Sequence, residues 1–135
     1  MELARSCIPY TPLRRELKNC RVALVTTSGA YAHGMEPYGG NDLSFRLIPS
    51  ETESRHIHFV PGHFDTSKGA IDANVMFPLD RLRELLATGE IGKISEYHVA
   101  MGLTTELRKL KEQVSWDIAG AVLKTRSDVV VLTGG

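Results

Sequence analysis

The segment Ser127-Asp128-Val129-Val130-Val131-Leu132-Thr133-Gly134-Gly135 constrains this 135-residue chain more than any other. Its four consecutive apolar residues, three of them β-branched, predict a strand buried on both faces, as in a parallel sheet. The Thr-Gly-Gly that follows permits a tight bend and close approach of the backbone to a ligand. In open α/β sheets ligands gather beyond the carboxyl ends of such strands. Residues 21–27 repeat the plan, with an apolar run that ends in Thr26, Thr27, Ser28 and Gly29. Those hydroxyls and backbone N–H groups suit a carboxylate or phosphate, and they suit equally well the plain closing of a strand.

Between these two runs the pattern alternates strand and helix signals. Residues 1–20 read as a lead-in segment, where Thr11-Pro12 is placed to cap a short basic helix through Lys18. Residues 29–55 are rich in Gly, Pro, Asn, Asp and Ser and read mainly as loop, with a short alternating strand at 43–48. Tyr31, Tyr38 and several glycines make that loop an ordered binding loop rather than a disordered one. Residues 56–60 predict a further strand. Pro78 opens a helix with Leu79, Leu82, Leu85 and Leu86 on one face, Asp80 in its first turn and Gly89 at its C-terminal cap. Residues 94–100 predict a weaker strand. A long helix is expected over 104–125, capped by Thr104, with Leu107, Leu110, Val114, Ile118, Ala121 and Val122 as its apolar stripe. It feeds the strand at 128–133 through a right-handed parallel crossover. The expected architecture is α/β, a mostly parallel sheet with flanking helices, resembling half of a doubly wound fold. Residues 21–135 are expected to form one domain, incomplete at its C-terminal side.

Charge excludes some functions. Sixteen basic side chains balance sixteen acidic ones, so there is no electrostatic case for nucleic acid or an anionic membrane. The apolar runs are too short to span a bilayer, and the first residues lack a signal-peptide core. Cys7 and Cys20 match neither a C-x-x-C nor a zinc-ligand spacing. They read as reduced thiols of a cytoplasmic protein.

The histidines are the next candidates for chemistry. His56 and His58 point to one face if they lie on a strand, and His63 and Asp65 are the residues that would complete a metal set. No rigid spacing of the H-E-x-x-H kind supports that, so no metal is expected, and the group reads as loop polar residues. Asp65-Thr66-Ser67-Lys68-Gly69 lacks the spacing of a phosphate loop. No Ser/His/Asp or Cys/His relay can be assembled from spacing.

Several blocks, taken together, resemble a known family. They are Tyr10-Thr11-Pro12-Leu13, residues 22–27, Gly40-Asn41-Asp42-Leu43-Ser44-Phe45-Arg46-Leu47-Ile48-Pro49, His63-Phe64-Asp65, and residues 72–82 (Asp72-Ala73-Asn74-Val75-Met76-Phe77-Pro78-Leu79-Asp80-Arg81-Leu82). The chain resembles the N-terminal part of selenoprotein B of the glycine/sarcosine/betaine reductases. It is most similar to the short branch of that family, the selenocysteine-containing subunits of D-proline reductases. The resemblance implies anaerobic, dithiol-driven reductive cleavage of a C–N bond in a small amino acid. It implies a hetero-oligomer in which a partner subunit carries a pyruvoyl group that engages the substrate amine, while this chain binds no cofactor of its own. A selenolate attacks the α-carbon, and a cysteine three positions later resolves the selenenyl product. In the family that selenocysteine-x-x-cysteine motif directly follows a strand like 129–133.

No residue here matches that motif, and Cys7 and Cys20 lie in the lead-in. The expectation is that selenocysteine and its resolving cysteine lie beyond Gly135, where a UGA codon would be read as stop. The 135-residue chain alone is then inactive. Thr26, Thr27, Ser28, Thr133, Gly134 and Gly135 are the expected neighbours of substrate or nucleophile, and His63 and Asp65 the candidates for proton transfer or loop positioning. The alternatives are component B of a glycine, sarcosine or betaine reductase, and a non-catalytic ligand-binding or subunit-docking module that lacks the redox motif. An apolar or a polar surface along the last strand separates an incomplete domain from a stand-alone module.

Overall fold

The structure is a computed structural model, and it describes residues 11–61 and 65–134. The strands are β1 (Arg21–Thr26), β2 (Ala30–Ala32), β3 (Phe45–Pro49), β4 (Ile57–Phe59), β5 (Lys93–Ile94), β6 (Tyr97–Met101) and β7 (Val129–Thr133). β1 is central. It pairs in parallel with β7 along one side, and on the other with β5 at its start and β6 at its end. β3 runs antiparallel on the far edge of β6, so the sheet is mostly parallel, as expected, and mixed at this edge. The parallel alignment of 21–26, 97–101 and 129–133 puts their carboxyl ends on one edge. β2 and β4 form a separate antiparallel ribbon; β2 lies in a stretch that the sequence reads as loop, too short for a periodic signal.

One sheet face is closed by Phe77 and by Leu79 and Leu82 of α2 (Leu79–Ala87), packed with Val22, Leu24, Ile48 and Ala100. Leu85 packs against this cluster, whereas Leu86 is exposed and does not share the buried face. Gly89 has φ +77°, the left-handed conformation that ends a helix as the sequence predicts. A short helix, α1 (Ser67–Ile71), precedes this layer.

The other face carries the long helix. It begins at Leu107, later than expected, and has three parts: α3 (Leu107–Lys109), a π turn over Leu110–Val114, and α4 (Ser115–Lys124). Thr104 Oγ1 does accept from the Glu106 N–H (3.1 Å), one turn ahead of the helix. The π turn shifts the helical phase, so Val114 and Val122 are buried and Leu107 is exposed.

Three further expectations need correction. β7 is not buried on both faces: it pairs only with β1 among the described residues, and Leu132 is 76% exposed. The strand expected over 94–100 is broken at Ser95-Glu96 into β5 and β6. In place of a basic helix through Lys18 there is one 3-10 turn at Leu17–Asn19.

The break has a buried consequence. Between its pairings with β5 and β6, β1 leaves the Leu24 N–H without a backbone partner, and the fully buried His98 accepts it at Nδ1 (3.0 Å). That fixes the proton on Nε2, which has no hydrogen-bond partner among the described residues and lies in a ring that meets Phe77 edge-on, with centroids 5.9 Å apart.

Candidate functional site at the carboxyl edge of the sheet

The ends of β1, β6 and β7 meet where parallel strands place ligand sites. Thr26 and Ser28 are both fully buried, and the Thr26 hydroxyl donates to Ser28 Oγ (2.9 Å). Thr133 Oγ1 donates to the Met76 carbonyl (3.0 Å), which also lies 3.5 Å from Thr26 Oγ1. Thr27 is exposed and ties the two strand ends together through its N–H to the Thr133 carbonyl (3.1 Å). Thr26, Thr27, Ser28 and Thr133 therefore do converge, but the two buried hydroxyls are spent on one another and on the backbone. Thr27, Thr133 and the exposed Gly134 are left to face a ligand. Gly135 and His63 lie outside the described residues.

Beside these ends is a crevice of about 310 Å³, lined by Gly29, Tyr38, Gly40, Asn41, Leu103 and Thr105 among others. Its size suits a small molecule. Tyr38 forms one wall: its hydroxyl donates to the Ala100 carbonyl (2.6 Å), with the Ala30 carbonyl 3.1 Å away. Burial holds that phenol protonated, well above its ordinary range. Gly102 makes this wall possible, because a Cβ there would stand 3.0 Å from Tyr38 Cβ and Cγ. Asn41, at φ +52°, accepts from both the N–H and the hydroxyl of Thr105 (2.8 Å each), so it pins the glycine loop to the segment after β6.

Two polar clamps hold the loops at the two ends of β3, the first at the carboxyl edge beside Met101 and the second beside the start of β6. In the first, the Asp42 carboxylate accepts from the Ser44 hydroxyl and N–H, which hold it below the usual carboxylate range, and Arg46 donates to Ser44 Oγ and lies 3.5 Å from Asp42. The Arg46 guanidinium also covers the Tyr38 ring at 4.4 Å. In the second, Asp80 accepts from Asn74 Nδ2 (2.9 Å), Ser54 and Arg83, and the Asn74 and Ser54 bonds chiefly hold it below its usual range. Arg83 reaches on to the Ser50 and Thr52 carbonyls (2.7 Å each), locking α2 to the loop after β3.

The remaining candidates lie apart from the edge. Asp65 is exposed and accepts from the Ser67 N–H (2.8 Å), turning the chain into α1. His56 and His58 sit with His33 on the β2–β4 ribbon, ring centroids about 6 Å from His33. Among the described residues no group of His, Cys, Asp and Glu is placed to hold a metal ion. Cys20 is buried at the amino end of β1, opposite the candidate edge. The edge thus offers an uncharged, glycine-walled crevice and strand-end donors, suited to holding and orienting a small ligand. Spacing alone missed Tyr38, Asn41, Gly102 and Thr105 as a set; their one signal was the aromatic, glycine-rich loop.

Comparison with known proteins shows the family. The model of the glycine/sarcosine/betaine reductase selenoprotein B (GRDB) family matches residues 4–135. The chain belongs to that family. It is 31% identical over 128 residues to the D-proline reductase subunit gamma of Acetoanaerobium sticklandii, covering 93% of this chain and 53% of that protein. It is 28% identical to the sarcosine reductase complex component B subunit beta of Peptoclostridium acidaminophilum, over 69% of this chain and 23% of that protein. It is 25% identical to the glycine reductase complex component B subunit gamma of Symbiobacterium thermophilum, over 93% of this chain and 31% of that protein. This selenoprotein B family chain therefore spans about half the length of the first relative and less than a third of the other two. No solved structure matches it. No helix among the described residues is long and apolar enough to cross a membrane.

Proposed function

We propose that this chain forms the substrate-facing sheet edge of a cytoplasmic, selenocysteine-dependent amino-acid reductase subunit of the D-proline type. The observation that carries the reading is the convergence of the β1 and β7 ends beside a small glycine-walled crevice, in a chain whose first relative is a D-proline reductase subunit. A substrate with one ring and one carboxylate fits a crevice of this size and neutrality. The exposed Thr27 and Gly134, with the half-buried Thr133, are the groups that would meet the substrate or the nucleophile. Asp65, which accepts the Ser67 N–H, acts in proton transfer or loop positioning, the roles that the resemblance also offers His63. A pyruvoyl group on a partner subunit supplies the electron sink for the substrate amine, and this chain binds no cofactor itself.

The nucleophile is then carried by further sequence, for which relatives of nearly twice the matched length have room. The apolar surface left open on β7 supports an incomplete domain over a stand-alone docking module. The test is to express the reading frame extended through any UGA, with selenocysteine incorporated, and to mix it with a pyruvoyl-containing partner and dithiothreitol. Cleaving the Cα–N bond of D-proline with two electrons and two protons opens the ring to 5-aminopentanoate, which mass spectrometry detects. Formation of that product supports the reading. Turnover of glycine, sarcosine or betaine instead assigns the chain to the other branch of its family, and no turnover of any of them favours the docking module.

A further inference from the structure

Among the described residues, no charged side chain lines the crevice at the carboxyl edge. A carboxylate entering it needs neutral donors, because an anion without hydrogen-bond partners is costly away from water. Three of the lining side chains carry an N–H or O–H: Tyr38, Asn41 and Thr105. Two of those donors are already spent. The Tyr38 hydroxyl donates to the Ala100 carbonyl (2.6 Å), and the Thr105 hydroxyl donates to Asn41 Oδ1 (2.8 Å). Arg46, the cation stacked on the Tyr38 ring, turns its N–H groups to the Glu36 carbonyl, Ser44 and Asp42. The Asn41 amide is the one side-chain donor left to a ligand.

Its partners fix which way that amide is turned. A backbone N–H can only donate, so the Asn41 atom 2.8 Å from the Thr105 nitrogen is the carbonyl oxygen. Nδ2 is then the free end, with two N–H donors and no hydrogen bond among the described residues. Asn41 holds this pose at φ +52°, a left-handed backbone that asparagine tolerates better than most residues. We propose, on the strength of the substrate-facing reading of this edge, that Asn41 is the specificity residue of the crevice. Nδ2 donates to the carboxylate of a small amino-acid substrate, while Oδ1 keeps the glycine loop pinned to Thr105.

Asn41→Asp separates the two roles. Its carboxylate still accepts both Thr105 donors, so the loop stays pinned, but the free end becomes an oxygen that repels a carboxylate. In the full-length subunit with its pyruvoyl partner, KM for D-proline should rise roughly ten- to a hundredfold, the worth of a hydrogen bond to a charged group. The loss should fall on KM far more than on kcat. The preference for D-proline over D-prolinamide should shrink by a similar factor. An Asn41→Asp protein whose KM stays within about twofold of the parent would overturn the proposal. A binding measurement makes the test independent of turnover. In nitrogen–proton spectra of the full-length subunit, cyclopentanecarboxylate should shift the Asn41 side-chain amide pair, and cyclopentanecarboxamide should not. An amide pair unmoved by the carboxylate, or moved equally by both probes, would also overturn it. Absence of turnover together with the carboxylate-specific shift would refute the reductase reading and support the carboxylate site.

Discussion

The most exposed consequence of this fold to experiment is its response to mild acid, through His98. The imidazole is fully buried, accepts the Leu24 N–H at Nδ1 and is surrounded by Phe77 and the sheet. Burial, with a smaller contribution from the Arg83 charge, pushes its pKa down to about 4 from an ordinary 6.5. The folded state therefore binds fewer protons than the unfolded state between those values, and stability falls as pH is lowered through this window. At pH 5 the loss relative to pH 7.5 is about 2 kcal/mol, from the ratio of the two protonation polynomials, and it approaches about 3 kcal/mol below pH 4. Asp42 and Asp80, whose pKa values are lowered in the fold, lose their contributions only below the ordinary carboxylate range. The interval from pH 6.5 to 5 therefore separates the histidine from these two carboxylates.

Urea denaturation at pH 7.5, 6.5, 5.5 and 5.0 is the assay, with unfolding free energies compared at constant ionic strength. His98→Leu removes the titrating group and leaves the Leu24 N–H unpaired in the sheet. It should cost about 1–3 kcal/mol at pH 7.5 and flatten the pH dependence between 6.5 and 5. Nitrogen chemical shifts of the imidazole should report a neutral ring protonated on Nε2 throughout that interval. A wild-type stability that is level from pH 7.5 to 5, or an imidazole titrating near 6.5, would refute the argument.

Other expectations follow from single contacts. Asp80→Ala removes the acceptor shared by Asn74, Ser54 and Arg83 and should lower stability by about 1–2 kcal/mol, read as a lower urea midpoint with increased proteolysis of the loop after β3. Gly102→Ala forces a Cβ to 3.0 Å from the Tyr38 ring and should cost about 1–3 kcal/mol, with loss of any ligand that protects the crevice in hydrogen exchange. The 135-residue chain mixed with a pyruvoyl partner and a dithiol should not reduce D-proline; turnover matching that of an extended protein would refute the placement of the nucleophile outside residues 1–135.

Hydrophobic pattern made the parallel core legible. The apolar runs at 21–27 and 128–133, and Leu79, Leu82 and Leu85 of α2, fall where the structure has β1, β7 and the buried side of that helix. What pattern could not show was coverage. Val130 and Leu132 are as apolar as Val22 and Leu24, but a run of valines states only that a strand is suited to burial. Whether a second layer covers it depends on elements elsewhere in the chain. The break at Ser95-Glu96 was hidden for a related reason: it is stabilised by His98, whose side chain replaces a backbone acceptor across the sheet. No local periodicity carries that information. Likewise the crevice draws on Gly29, Tyr38, Asn41, Gly102 and Thr105, residues far apart in sequence that meet only because β1 and β6 are neighbours.

Two of the blocks that carry the family resemblance are held together by their own hydrogen bonds. Asp42-Leu43-Ser44-Phe45-Arg46 closes on itself through the Asp42–Ser44–Arg46 bonds, and its guanidinium braces the Tyr38 wall of the crevice. Residues 72–82 hold Asn74 and Asp80 against each other, and Arg83 extends that network to the end of β3. The Met76 carbonyl from the same block receives the Thr133 hydroxyl at the end of β7. The Asp42 clamp lies at the carboxyl edge beside Met101, whereas Arg83 ties α2 to the end of β3 beside the start of β6. The geometry of the edge is thus held by this part of the chain through ordinary hydrogen bonds, independently of the reacting atoms. A loosened clamp, as in Asp80→Ala, should accordingly raise KM and lower stability together in an active, extended protein. Substitution of the nucleophile itself should abolish kcat and leave the fold unchanged.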